Sequence, residues 1–200
     1  MPVMVKKHAT AEEYLAFEEI AEAKHEYYQG KIFAIEGGSL AHNQICRNLL
    51  GRLFAALEGT AWRLHASITL VKVAATGFYT HADLSVADAS PLYESARIEV
   101  LLNPRVLIEV LSPATEDHDL GFKLKHYRKL PSVQEILFFS QVEPQVDHYI
   151  RHGDEWRLIS QSGLEETVEF PSLGCQIPMR LIYADVNFPP PEVTSEEETL

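Results

Sequence analysis

Val106-Leu-Ile-Glu-Val-Leu111 is a nearly continuous apolar run with one carboxylate, Glu109, set inside it. Apolar residues without alternation read as a strand buried on both faces, which requires a sheet covered on its two sides. A carboxylate in such a strand is costly unless it is paired, hydrogen-bonded or bound to a cation. A salt bridge, or a strand end reaching water, would satisfy Glu109 without any chemistry.

Ala82-Asp-Leu-Ser-Val86 repeats the pattern with Asp83, inside a strand expected over Thr80–Asp88. If the two strands are neighbours, the carboxylates meet and repel unless a cation lies between them. Mg²⁺ or Mn²⁺ suits such hard oxygen ligands.

Nearer the N-terminus, Thr10-Ala-Glu-Glu13 has the form of a capping box and predicts a short helix. Gln29-Gly30-Lys31 predicts a turn into a strand over Lys31–Ile35, which Gly37-Gly38 ends. Ser39 is then the N-cap of a long helix whose apolar positions are Ile45, Leu49, Leu50, Leu53, Phe54 and Leu57, stopped at Gly59. Trp62–Val73 holds one or two strands. A second helix is expected from about Glu116 to Leu130, ahead of Pro131, and a buried strand over Glu135–Gln141. Gln145–Arg151 and Trp156–Gln161 form a hairpin around His152-Gly153-Asp154. This order of elements predicts a mixed α+β (α/β) fold: a central mixed sheet flanked by helices, with a β-rich C-terminal portion.

The sequence has 46% hydrophobic and 23% charged residues, as expected of a globular chain. One domain over residues 1–188 is expected, followed by an acidic, proline-rich, disordered tail over 189–200. No apolar run is long enough to cross a bilayer, and no apolar segment follows Lys6, Lys7 and His8, so a cytoplasmic location is expected. The net charge of −12 argues against nonspecific coating of nucleic acid, although not against an enzyme with a local basic groove. Cys46 and Cys175 fall in no recognisable Cys/His pattern, so the expectation is two reduced thiols and no zinc. There is no P-loop, no Gly-x-Gly-x-x-Gly and no nucleophile elbow around Ser112.

Asp83, then Ile108-Glu-Val-Leu-Ser-Pro113, then Asp119-Leu-Gly-Phe-Lys-Leu-Lys-His-Tyr127 resembles the "putative restriction endonuclease" family formerly catalogued as domain of unknown function 820. That family lies within the PD-(D/E)XK nuclease superfamily. Glu26-Tyr27 with Gly30, His42 and Leu130-Pro-Ser-Val-Gln-Glu135 extend the resemblance over roughly Thr10 to Val186. It implies a restriction-endonuclease-like fold, a DNA substrate, a homodimer, and a site in which Asp83 and Glu109 ligate Mg²⁺ or Mn²⁺. Glu26, on or near the first helix, matches an extra acid of such sites; a solvated helix-face glutamate is the plainer alternative.

The sequence departs from the pattern at the lysine expected two residues after the glutamate, which is Leu111. Lys123 on the following helix is the candidate replacement, with Lys125 the fallback. His42, near the Ser39 cap, is either an accessory acid/base or phosphate contact, or a surface or capping histidine. The function expected is metal-dependent hydrolysis of phosphodiesters; the alternative is an inactive nucleic-acid- or protein-binding module on the same fold.

Overall fold

The computed structural model of the chain describes residues 3–94 and 98–189. The acidic tail expected over 189–200 therefore lies, from residue 190 on, outside the described residues. Among the described residues, fourteen strands form two six-stranded sheets and a two-stranded ribbon, the mixed α+β architecture expected.

The first sheet contains β1 (Val3–Lys7), β2 (His25–Tyr28), β3 (Lys31–Ala34), β5 (Leu70–Val73), β6 (Phe78–His81) and β8 (Val100–Leu101), in the order β1-β3-β2-β6-β5-β8. The second contains β4 (Arg63–Ala66), β7 (Leu84–Ala87), β9 (Val106–Leu111), β10 (Glu135–Ser140), β11 (Gln145–His152) and β12 (Glu155–Ser162), in the order β12-β11-β10-β9-β7-β4. Each has one parallel pair, β5 with β8 and β9 with β10, among antiparallel ones. The ribbon is β13 (Thr167–Phe170) with β14 (Cys175–Pro178).

Thr10 caps helix α1 (Ala11–Glu18) in a reciprocal capping box with Glu13. Ser39 caps α2 (Leu40–Leu57) by accepting the His42 N–H. Ile45, Leu49, Leu53 and Leu57 of α2 pack on Val106, Ile108 and Val110, which face one side of β9. Leu50 and Phe54, expected on that apolar face, lie outside it, and Phe54 is 70% exposed. Four rows at helical spacing are enough to cover the sheet, so the adjacent positions turn to solvent.

On the other face of β9, Leu107 and Leu111 pack with Leu124, Tyr127 and Leu130, and with Val71, Val73 and Phe78 of the first sheet. The helix expected over Glu116–Leu130 is shorter and differently wound. It is a π-helical segment, His118–Lys123, running into α3 (Leu124–Tyr127). Such wider turns are associated with functional sites. The C-terminal α4 (Met179–Ile182) joins the α2 side, where Asn48 donates to the carbonyls of Ile182 and Ala184.

Two further expectations about local structure are corrected. The strand expected over Thr80–Asp88 is two strands in different sheets: the chain leaves β6 at His81 and enters β7 at Leu84. Glu26 is not on or near the first helix as a helical acid; it sits in β2, fully enclosed. Among the described residues, no helix is long and apolar enough to cross a membrane.

Candidate active site

Asp83 lies at the crossover between the two sheets, one residue before β7. β7 pairs antiparallel with β9 so that Leu84 faces Ile108, and extending the register by one residue places Asp83 opposite Glu109. Asp83 Oδ2 accepts the Val110 N–H at 2.8 Å and meets His42 Nε2 at 3.1 Å. Burial alone would raise the Asp83 pKa, but His42, the Val110 N–H and Lys123 outweigh it and hold the carboxyl below its usual range. His42 is raised in turn: its burial is outweighed by Asp83.

Strand alternation puts Leu107, Glu109 and Leu111 on one face of β9, the face covered by the π segment and α3. Leu111 is used as core there. Lys123 comes down from the π segment onto the same face, its Nζ 3.2 Å from Glu109 Oε1, 3.1 Å from Asp119 Oδ1 and 3.6 Å from Glu26 Oε1. The Tyr127 hydroxyl donates to the same Glu109 oxygen at 2.5 Å. Burial pushes Glu109 up to about 8; Lys123 and the Tyr127 hydrogen bond work against that, while Asp119 and Asp83 add to it. Burial acts to lower Lys123, yet the carboxylates around it, Glu109 first, hold its ammonium well above the usual range.

Glu26 is the far support of this cluster. Thr80 Oγ1 donates to Oε1 at 2.6 Å, and His118 Nε2 meets Oε2 at 2.7 Å. Burial would raise Glu26, but Lys123, His118 and Thr80 together lower it. Lys125, the fallback lysine, is exposed and does not line the cleft. His42, Asp83, Glu26, Glu109 and Lys123 do, together with Ser112 and His118, around a volume of about 800 Å³.

The five candidate residues thus converge on one cleft, although they come from α2, the crossover, β2, β9 and the π segment. Asp83 and Glu109 each take their hydrogen bonds on a single oxygen, Oδ2 and Oε1. Among the described residues, Oδ1 and Oε2 remain as hard donors on neighbouring segments, a donor set that fits a divalent cation. The described residues also hold a second grouping of possible metal ligands, His42, Cys46 and Asp83.

Sequence reading missed four histidine partnerships. His118 meets Glu26, His25 and His81 both meet Glu18, and His148 meets Glu135. Only His118 sits near a recognised motif, one residue before Asp119. The others pair across strands or between helix and sheet, where chain spacing carries no signal.

The fold and the sequence have counterparts among known proteins. A crystal structure described as a "putative nuclease belonging to DUF820" from Anabaena variabilis superposes with a TM-score of 0.71, covering 86% of this chain and 96% of that one at 19% identity. Two uncharacterized proteins of Synechocystis sp. are each 32% identical, one over 177 residues (88% of this chain, 92% of the relative) and one over 171 residues (85% and 97%). The model of the Uma2 family, described as "Putative restriction endonuclease", matches residues 11–180. That match covers most of the length and leads to one assignment: the chain belongs to the Uma2 family.

Proposed function

We propose that the chain is a metal-dependent endonuclease that hydrolyses phosphodiester bonds in DNA, with Asp83 and Glu109 holding Mg²⁺ or Mn²⁺. The observation that carries the reading is the 3.2 Å contact of Lys123 Nζ with Glu109 Oε1. It supplies an amine on the strand face where Leu111 has none. When bound, the ion would lower the pKa of a coordinated water and offset charge on the scissile phosphate.

The chain's own residues carry the rest. Lys123 stays protonated among its carboxylates, so its cation is available to offset developing negative charge and orient the attacking water. Glu26 and Asp119 fix that ammonium, and Glu26 is itself fixed by Thr80 and His118; both acids act as positioning groups. His42, hydrogen-bonded to Asp83, orients that carboxylate and stands ready as an accessory acid or phosphate contact. A homodimer belongs to the same reading: β12 is an edge strand with Leu158 exposed, available for a second copy.

Calorimetric titration of Mn²⁺ into the wild type and Asp83→Ala tests the metal site without knowledge of the target. Saturable binding lost in Asp83→Ala, followed by Mn²⁺-dependent nicking of supercoiled plasmid lost in the same variant, is expected. No binding, or equal binding in both proteins, sinks the catalytic reading and leaves a binding module on a nuclease fold.

A further inference from the structure

Cys46 follows His42 by one turn of α2, so both side chains leave the same face of the helix. Cys46 Sγ lies 3.6 Å from His42 Nδ1, and His42 Nε2 lies 3.1 Å from Asp83 Oδ2. One ligand atom from each of the three residues falls within 4.8 Å of the other two. All three are half-buried and line the cleft, so an ion reaches them from solvent. Gly38 packs close to the same ring: a Cβ built there would overlap His42 Nδ1 and Cγ. A side chain at 38 would displace the ring from the position in which both neighbours meet it.

The donor set is one imidazole nitrogen, one sulfur and one carboxylate oxygen. Mg²⁺ takes oxygen ligands and keeps several waters, whereas sulfur and imidazole select zinc and similar late first-row ions. Three protein ligands with a fourth position facing a cleft is the arrangement of zinc sites that exchange a ligand. Chain spacing hides the site, because His42-x-x-x-Cys46 is a common helical separation and the third ligand comes from the sheet crossover.

We propose that His42, Cys46 and Asp83 form a binding site for zinc or a chemically similar divalent ion. On coordination the Cys46 thiol gives its proton to solvent. The site uses Asp83, so its occupancy competes with a hard cation held jointly by Asp83 and Glu109. That second consequence, a zinc-blocked form of the enzyme, rests on the function proposed above; the site itself does not.

Titration of Co²⁺ into the full chain reads occupancy and sulfur ligation together, through the near-ultraviolet thiolate-to-cobalt absorption band. The band is expected to saturate, to be displaced by Zn²⁺ but not by Mg²⁺, and to persist in Cys175→Ser. In the near-isosteric Cys46→Ser it disappears, and Co²⁺ affinity falls at least about tenfold, since loss of even an outer-shell partner typically costs that much. Circular dichroism and Mn²⁺ calorimetry on Cys46→Ser check that the variant is folded and that the carboxylate pair is intact, and both are expected to match the wild type. A band that survives in Cys46→Ser overturns the proposal. So does a wild type that binds Mn²⁺ but never develops the band, an outcome that leaves the carboxylate-pair reading standing.

Discussion

The Tyr127 hydroxyl donates to Glu109 Oε1 at 2.5 Å, from α3 down onto the middle strand of the second sheet. Both groups are enclosed, and Glu109 lines the cleft. A partner of this kind fixes how a ligand carboxylate is presented.

Tyr127→Phe keeps the ring and removes only that bond. Mn²⁺ affinity measured by calorimetry is expected to fall by about ten- to a hundredfold. Stability measured by urea unfolding should fall by about 1–3 kcal/mol, the usual cost of taking away one partner of a buried hydrogen bond. Unchanged Mn²⁺ affinity would show that Glu109 does not depend on Tyr127 for its presentation.

Lys123 and Lys125 are separated sharply by their surroundings. Lys123→Met leaves Glu109, Asp119 and Glu26 without their shared cation, a change expected to cost about 3–5 kcal/mol. Plasmid nicking should be lost with it. Lys125→Met alters an exposed side chain and should leave stability within about 0.5 kcal/mol and nicking unchanged. Equal effects of the two substitutions would remove Lys123 from its proposed role.

Leu53 and Phe54 test which side of α2 faces the sheet. Leu53 is fully buried against the β9 side of the core, and Phe54 is 70% exposed. Leu53→Ala should destabilise by about 2–5 kcal/mol in chemical denaturation. Phe54→Ala should stay within about 0.5 kcal/mol. A large cost at Phe54 would mean that its ring is covered in solution, as a dimer contact would do.

His126 sets part of the acid sensitivity. Burial, then Lys129 and Lys125, hold its pKa below the usual value; its Nδ1 meets Thr76 Oγ1 at 2.8 Å. The unfolded chain therefore takes up this proton at a higher pH than the folded one. The contribution is fully present above the unfolded pKa of about 6.5 and is lost as pH falls through the folded value. His126→Phe should flatten the decline of melting temperature below that pH; an identical decline in the variant would assign it to other groups.

Much of this molecule was legible along the chain because local chemistry decides it. Thr10 and Ser39 cap their helices through the bonds their side chains make within three residues. The run Val106–Leu111 announced a strand covered on both faces, and Glu109 stood out because a carboxylate there needs a partner. The motif around Glu109–Thr115 also placed the chain in its family.

Which partner each group finds was decided only by tertiary structure. No spacing rule brings Glu26 from β2, Lys123 from the π segment and Glu109 from β9 to one ammonium, since their separations in sequence are set by loops and crossovers. The crossover at Asp83 was hidden because His81 through Leu84 looks like one continuous strand until two sheets compete for it. Sequence fixes what each residue can do within a turn or a strand's alternation. Long-range packing, which buries the charges and forces them to pair, selects the neighbours that turn those residues into a site.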